Sequence, residues 1–313
     1  MVSRDLTTIQ PLRDHMVRRL PSAKELAARK PLVLTARDDA ILEAIATHGI
    51  LTTEPIELAF FPTPPEVHAQ RGAPCSRAYQ RLRELWLWRF VERIELRVAR
   101  ALGGRRAFLY TLAERGQTYL AGQLASTATL PDPRRLDRLD DRFLEHDLRI
   151  GTLWAHMQAL VRQEQFRACH WVPERDLHAQ SIKVMDPLTN RPIAVLPDGY
   201  VELERLDGSV WSAMVEIDMA TLTLGQFRRK LRAFETYVTG GFFQQDWQRD
   251  QCCFLILTTS WKRLKNLWKA GRQEVPPTEW RNYWFATYGA LSPEHFDDSD
   301  FWLTLDGEYI GLC

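Results

Sequence analysis

Apolar positions in the first part of the chain recur at helical spacing and are interrupted by polar or proline-rich breaks. From Thr35, a capping residue type, the helical spacing continues until Gly49 ends it. A second amphipathic segment over residues 54–61 is closed by prolines, which cannot continue a helix. A third helix is predicted over residues 76–85, with its leucines on one face and its arginines on the other.

Two strand patterns follow the third helix, over residues 90–98 and 107–112. They are joined by residues 100–106, in which two glycines can adopt the positive φ of a tight turn and arginines stand on both sides. Three helices followed by a basic hairpin are the order of elements of a winged helix-turn-helix. A last helix over residues 113–124 ends this predicted domain.

The second half of the chain mixes helical and strand patterns. A long amphipathic helix is predicted over residues 142–163, and the turn dipeptide Asp207-Gly208 predicts a hairpin. The further predicted strands cover residues 167–172, 199–206, 210–218, 253–258 and 284–288, and the further helices cover 224–237 and 261–270, the latter basic. This succession predicts an α/β domain.

The composition allows two domains of ordinary size, because 313 residues with 45% hydrophobic and 26% charged side chains are typical of globular proteins. We predict a mixed α/β protein: an N-terminal arm (1–33), a winged helix-turn-helix domain (34–124), a linker (125–141) and an α/β domain (142–313). The longest apolar run has six residues, whereas a membrane-spanning helix needs roughly 20. The first thirty residues also lack the apolar centre of a secretory signal, so we expect a cytoplasmic protein without a membrane partner.

The net charge of +1 conceals an uneven distribution of charge. Residues 1–124 carry 19 Lys and Arg against 13 Asp and Glu, a net charge of +6, and the remaining residues therefore carry −5. Between residues 71 and 115 there are eleven arginines and four glutamates. This basic stretch favours double-stranded DNA as a partner, and a solvated helix face is the alternative interpretation.

In a winged helix-turn-helix the third helix enters the major groove and the hairpin contacts the backbone or the minor groove. The predicted DNA-binding residues are therefore Arg77, Gln80, Arg81 and Arg83 on the third helix and Arg105 and Arg106 at the hairpin tip. The alternative is a winged helix that contacts a protein.

Carboxylates stand at the ends of the two strands of the predicted hairpin in the second half. Asp198 precedes one strand, and Glu216 and Asp218 end the other, two residues apart and therefore on one face. Such a pair can be merely solvated. If the hairpin brings Asp198 close, the cluster needs a cation, and oxygen-rich ligation without thiols points to Mg²⁺ or Mn²⁺. Glu145, near the start of the long helix, is a fourth candidate.

Pro197-Asp198, Glu216-Ile217-Asp218 and Lys230 resemble the PD-(D/E)xK nuclease pattern. In that pattern acidic residues on a hairpin hold a divalent metal ion, and a lysine positions or activates the attacking water. Here Asp218 stands where the pattern has its lysine. Lys230, or less readily a neighbouring arginine of the same helix, would have to supply the cation.

From about residue 34 to residue 270 the chain is similar to the bacterial replication-relaxation protein family. The motifs that carry this resemblance are Leu34-Thr35-Ala36-Arg37-Asp38, Leu51-Thr52-Thr53, residues 76–85, Phe143-Leu144-Glu145-His146-Asp147-Leu148, Pro197-Asp198-Gly199-Tyr200, Glu216-Ile217-Asp218 and residues 230–237. The resemblance implies a winged helix joined to a restriction-endonuclease-like domain. Such proteins are usually encoded on mobile elements and are named for a part in plasmid replication or DNA relaxation.

The nuclease resemblance implies roles for five residues. Asp198 and Glu216 would bind the metal ion, and Asp218 would assist them. Glu145 would contribute from the long helix, and Lys230 would stabilise charge on the phosphate or lower the pKa of the attacking water. The cofactor would be Mg²⁺ or Mn²⁺ if the site is active, and none otherwise.

We therefore expect a DNA-binding replication or mobilisation accessory, or regulator, of a plasmid or mobile element. Its nuclease-like domain would serve as a dimerisation or docking module. The first alternative is an active metal-dependent DNA endonuclease, and the second is an adaptor that recruits a protein partner to DNA. A homodimer and a partner protein from the mobile element both stay open.

Overall fold

The structure is a computed structural model that describes residues 16–61, 76–96, 107–123, 141–291, 296 and 298–312. The chain divides into two compact units, Met1–Ala155 and His156–Cys313. The boundary between the units falls within the long helix Asp141–Arg162. The predicted limits of the arm, the winged helix-turn-helix domain, the linker and the nuclease-like domain stay predictions.

The first unit combines helices with an antiparallel sheet. Its helices are α1 (Ala23–Ala27), α2 (Ala36–His48), α3 (Thr53–Phe60), α4 (Ser76–Leu87), α5 (Glu114–Gln123) and most of α6 (Asp141–Arg162). Its strands are β1 (Met16–Arg19), β2 (Leu51–Thr52), β3 (Val91–Leu96) and β4 (Ala107–Leu112), paired in the order β1–β3–β4–β2. The helices and strands predicted for this part are confirmed, and β1 adds a strand that the sequence pattern does not predict. The hairpin tip with Arg105 and Arg106, and linker residues 125–140, lie outside the described residues.

The core of the first unit forms where α2 and α4 turn their apolar faces inward. Ile41, Leu42 and Ile45 of α2 are fully buried, and so are Leu82 and Leu85 of α4. These positions recur three and four residues apart, so each helix buries one stripe and leaves the opposite face to solvent.

The second unit is built on one mixed sheet with helices packed against it. Its strands are β5 (Phe166–Pro173), β6 (Lys183–Met185), β7 (Pro192–Ala194), β8 (Gly199–Arg205), β9 (Val210–Asp218), β10 (Cys253–Thr258), β11 (Tyr283–Thr287), β12 (Trp302–Thr304) and β13 (Tyr309–Ile310). Its helices are α7 (Glu174–Ala179), α8 (Leu224–Thr239), α9 (Phe242–Trp247) and α10 (Trp261–Glu274). Over the part of the chain that the structure describes, the sheet order is β13–β12–β11–β10–β9–β8–β5, and β6 pairs with β7 in a separate hairpin.

Strands β9, β10 and β11 run parallel, and the other pairs of this sheet are antiparallel. Parallel neighbours need crossover connections, which are supplied by α8 and α9 after β9 and by α10 after β10. The ends of β9 and β10 therefore lie side by side, with Asp218 paired opposite Thr258. The mixed α/β fold class is thus confirmed. The short strands β6, β7, β12 and β13 were not predicted, because two or three residues carry no recognisable period.

Helices α8 and α10 pack beside each other on one face of this sheet. Phe227 and Leu231 of α8 and Leu264 and Leu267 of α10 belong to the same buried cluster as Phe254 of β10. This packing holds both helices over the strands whose ends carry the predicted carboxylates.

Candidate functional site

Three of the predicted catalytic side chains meet where β8 begins and β9 ends. The N–H of Asp198 donates to the carbonyl of Val215 at 2.8 Å, and Asp198 Oδ2 accepts from the N–H of Ile217 at 2.6 Å. Lys230, in the second turn of α8, forms an ion pair with Glu216, and its Nζ lies 3.9 Å from Asp198 Oδ1. The structure thus brings Asp198, Glu216 and Lys230 together.

The carboxylates of this site are buried. Asp198 is 7% exposed, Glu216 is 2% exposed and Asp218 is 1% exposed. Every residue from Trp211 to Asp218 is buried, because both faces of β9 are covered. The interpretation of Glu216 and Asp218 as a solvated acidic pair is therefore wrong.

Burial shifts the pKa values of Glu216 and Lys230. Burial first, and Asp198 second, raise the pKa of Glu216 to about 7, although Lys230 acts in the opposite direction. Burial by itself lowers the pKa of Lys230, but Asp198 and Glu216 outweigh it, and the pKa of Lys230 is raised. Lys230 therefore remains an ammonium group at neutral pH, which suits electrostatic stabilisation and excludes a role as proton acceptor.

Asp218 has different partners from Glu216. Its Oδ2 accepts from Thr258 Oγ1 at 2.6 Å and from Arg263 Nε at 2.9 Å, and its Oδ1 accepts from Arg263 Nη2 at 2.8 Å. This two-pronged pairing offsets the charge of Asp218 and holds α10 against the end of β9. Asp218 still contributes to the raised pKa of Glu216. Its assisting role at a metal ion stays a prediction.

Arg263 and Thr258 are the members of this site that the sequence analysis missed. A signal for Arg263 exists in the sequence, since it lies four and seven residues before Leu267 and Ala270, on the buried side of α10. A charged residue on that side needs a buried partner of opposite charge. Which carboxylate it meets depends on the pairing of β9 with β10, and helical spacing carries no information about that.

The residues of this site fit a divalent cation. Asp198 and Glu216 offer carboxylate oxygens, the donors that Mg²⁺ and Mn²⁺ prefer. Because burial and Asp198 make ionised Glu216 unfavourable, a cation bound to these oxygens would stabilise the ionised form.

Glu145, the fifth predicted catalytic residue, belongs to the first unit. Its carboxylate forms an ion pair with Arg149, one turn further along α6. Its catalytic role stays a prediction.

The predicted DNA-binding helix is α4. Its residues Arg77 and Gln80 are exposed, whereas Ala78, Leu82 and Leu85 are buried. The outer face of α4 therefore presents a guanidinium and an amide to solvent.

Arg81 differs from the other polar residues of α4 because it is committed to a buried carboxylate. Its Nε donates to Asp38 Oδ1 at 2.6 Å, and its Nη2 donates to Asp38 Oδ2 at 2.5 Å. It also donates to Glu84 and to the carbonyl of Val33. This network gives Arg81 a structural role in the first unit.

Arg83 is half-buried, and its guanidinium lies 3.7 Å from Glu25 Oε1. Arg105 and Arg106, predicted to contact the DNA backbone, are outside the described residues. Arg77 and Gln80 are thus the predicted DNA-binding residues whose side chains are fully on the surface among those described.

The fold and the sites define a mixed α/β protein with a polar outer helix face in its first unit and a buried acidic site in its second. A family model described as Replication-relaxation matches residues 42–248, which are 207 of the 313 residues. The chain belongs to the replication-relaxation family, and the resemblance predicted from the sequence is confirmed. No curated protein and no solved structure matches the chain. None of the described helices is both long enough and apolar enough to cross a membrane.

Proposed function

We propose that this protein binds double-stranded DNA of a plasmid or another mobile element and acts in the replication or mobilisation of that element. Membership of the replication-relaxation family supports the role in replication. The observation that carries DNA binding is the outer face of α4, where Arg77 and Gln80 are exposed on a helix whose other face is buried.

The order of elements in the first unit supports a winged helix-turn-helix. Helices α2, α3 and α4 are followed by the antiparallel pair β3–β4. In such a domain the third helix enters the major groove, so Arg77 would contact guanine and Gln80 would contact adenine. The hairpin tip between β3 and β4 would lie along the flanking backbone.

The test measures binding of the full chain to duplex DNA at several salt concentrations by fluorescence anisotropy. Arg77→Ala with Gln80→Ala is expected to weaken binding at least about tenfold and to lower the magnitude of the salt slope by about 1. Lys24→Ala removes one exposed positive charge from α1 and is the matched control. If the wild-type protein does not bind duplex DNA at low salt, the proposed function is wrong.

The second candidate function is metal-dependent cleavage of DNA, and the convergence of Asp198, Glu216 and Lys230 favours it. Asp198 and Glu216 would hold Mg²⁺ or Mn²⁺. Such an ion polarises a phosphate oxygen and lowers the pKa of a bound water. Lys230, held as an ammonium, would stabilise negative charge that develops on the phosphate.

Isothermal titration of Mn²⁺ into the wild-type protein and into Asp198→Ala with Glu216→Ala tests this second function. We expect the wild type to bind the ion and the double variant to lose binding. Asp176→Ala with Glu204→Ala, which removes two less buried carboxylates of the same unit, is the control and should bind normally. Absence of Mn²⁺ binding and of cleavage of supercoiled, linear and single-stranded DNA by the wild type would exclude the nuclease function.

A further inference from the structure

The outer face of α10 is a basic surface that neither proposed function uses. Four basic residues share this face: Lys262, Lys265, Lys269 and Arg272. All four are exposed, and residues 261–273 contain no Asp or Glu. The chain from residue 125 onward has a net charge of −5, so this basic strip contrasts with its surroundings. The family match ends before α10.

The spacing of these residues arranges their charges in a line. They follow one another at intervals of three, four and three residues, which keeps them on one side of a helix. Ten residues of helix extend about 15 Å. One strand of B-DNA carries a phosphate about every 3.4 Å along its axis, so the line is as long as about four phosphates.

Tryptophan borders the basic line at its amino-terminal end. Trp261 is 48% exposed, and the ammonium of Lys265 lies 5.5 Å from the centre of its ring. An exposed aromatic ring beside phosphate-binding cations is typical of nucleic-acid surfaces, because bases or sugars can pack on the ring.

A lipid surface fits this helix less well than a nucleic acid does. A helix that lies on a membrane inserts a free apolar face into the lipid. The apolar face of α10 is already buried in the core through Leu264, Leu267 and Ala270. What α10 offers to a partner is its charge, which suits a phosphate backbone.

The position of α10 relates the basic line to the acidic site. Arg263 follows Lys262 directly and pairs with Asp218 at the end of β9. The line therefore starts at the edge of the sheet that carries Glu216, on the same unit.

We propose that the outer face of α10 binds the phosphate backbone of DNA and gives the second unit its own DNA contact. The inference rests on the proposed function in taking DNA as the ligand of this protein. It goes beyond that function in assigning a contact surface outside the first unit.

The experiment compares the full-length wild type with Lys265→Gln combined with Lys269→Gln, using duplex DNA and fluorescence anisotropy over a salt series. Loss of two phosphate contacts should lower the magnitude of the salt slope by about 2. At about 0.1 M salt the affinity should fall by roughly ten- to a hundredfold. Lys183→Gln with Arg191→Gln removes two exposed charges at the β6–β7 hairpin and is the matched control, expected to bind like the wild type.

Three outcomes would overturn the inference. The first is an unchanged slope and affinity in the α10 variant, and the second is an equal loss in the control variant. The third is unchanged DNA binding together with a loss of binding to vesicles of anionic phospholipid. Arg77→Ala with Gln80→Ala, measured in parallel, separates the two proposals: weakened binding there with no effect at α10 would leave the proposed function standing and remove this inference alone. Urea unfolding of each variant establishes that it is folded.

Discussion

Asp38 is a fully buried carboxylate whose charge the first unit offsets by several hydrogen bonds. Besides Arg81, the N–H and the hydroxyl of Thr35 donate to it, each at 2.7 Å. Burial acts to raise the pKa of Asp38, but the hydrogen bonds from Arg81 and Thr35 outweigh burial, and the pKa is lowered. The pair joins the start of α2 to the middle of α4 and thereby fixes the orientation of the proposed DNA-binding helix.

We expect Asp38→Asn to lower the free energy of unfolding by about 3 kcal/mol at neutral pH, because Arg81 loses its buried partner. A carboxyl whose pKa is lowered by folding stabilises the fold above its unfolded pKa of 3.8 and loses this contribution as the pH falls through the lowered folded pKa. The difference between wild type and variant should therefore shrink below about pH 4. Urea unfolding followed by tryptophan fluorescence measures both effects.

Glu43→Gln, an exposed carboxylate of the same helix, is the control and should unfold like the wild type at each pH. A constant difference between wild type and Asp38→Asn down to about pH 2 would show that ionisation of Asp38 is not responsible.

Lys230 offsets two buried carboxylates, so its removal should affect both stability and metal binding. In the absence of metal, Lys230→Met is expected to lower the free energy of unfolding by about 3 kcal/mol, because Asp198 and Glu216 lose their counter-charge. Mn²⁺ should restore stability and bind more tightly than in the wild type, since it replaces the missing positive charge. Thermal unfolding with and without Mn²⁺, together with titration calorimetry, measures this.

Arg229→Met, at the exposed neighbouring position, is the control and should change neither quantity. If Lys230→Met binds Mn²⁺ more weakly than the wild type, Lys230 does not compete with a cation for these carboxylates.

Helix α5 illustrates, at the scale of elements, how close packing reverses a local preference. Alanine is favoured over glycine inside a helix by about 1 kcal/mol. A Cβ on Gly116, however, would lie 2.1 Å from the carbonyl oxygen of Phe90. The helix approaches the chain before β3 so closely that only glycine fits.

Gly116→Ala should therefore destabilise the protein by at least about 2 kcal/mol, in the range of overpacked sites. Gly122→Ala in the same helix meets nothing within 4 Å and should be neutral or stabilise by up to about 1 kcal/mol. Urea unfolding of the two variants side by side gives the comparison. Equal effects of opposite expectation, such as stabilisation by both substitutions, would contradict the close approach of α5 to Phe90.

Sequence patterns predicted most longer elements of both units within two residues, because amphipathic periodicity depends on neighbours along the chain. The pairing of elements was less accessible. The pairing of β9 with β10 sets Thr258 opposite Asp218, across 40 residues of chain. That register follows from the packing of α8 and α10 on the sheet, which no local pattern encodes.

For the whole molecule, the proposals assign a DNA contact to each unit. If both surfaces bind one DNA molecule, combining Arg77→Ala and Gln80→Ala with Lys265→Gln and Lys269→Gln should lower the magnitude of the salt slope by about 3, the sum of the separate losses. Anisotropy with the same duplex measures the slopes of the three variants and the wild type. A combined variant no weaker than the more affected parent would contradict simultaneous contact.

The sequence by itself determined the α/β class, the family, the basic outer face of α4 and the pairing of Asp198 with Glu216 across a hairpin, because these depend on composition, short motifs and spacing along adjacent segments. Tertiary structure alone decided that Glu216 and Asp218 are both buried and have different partners, Lys230 and Arg263. It also decided that Arg81 serves Asp38. Each of these pairings joins residues far apart in the chain, and only the packing of helices on each other or on a sheet brings such residues within hydrogen-bonding distance.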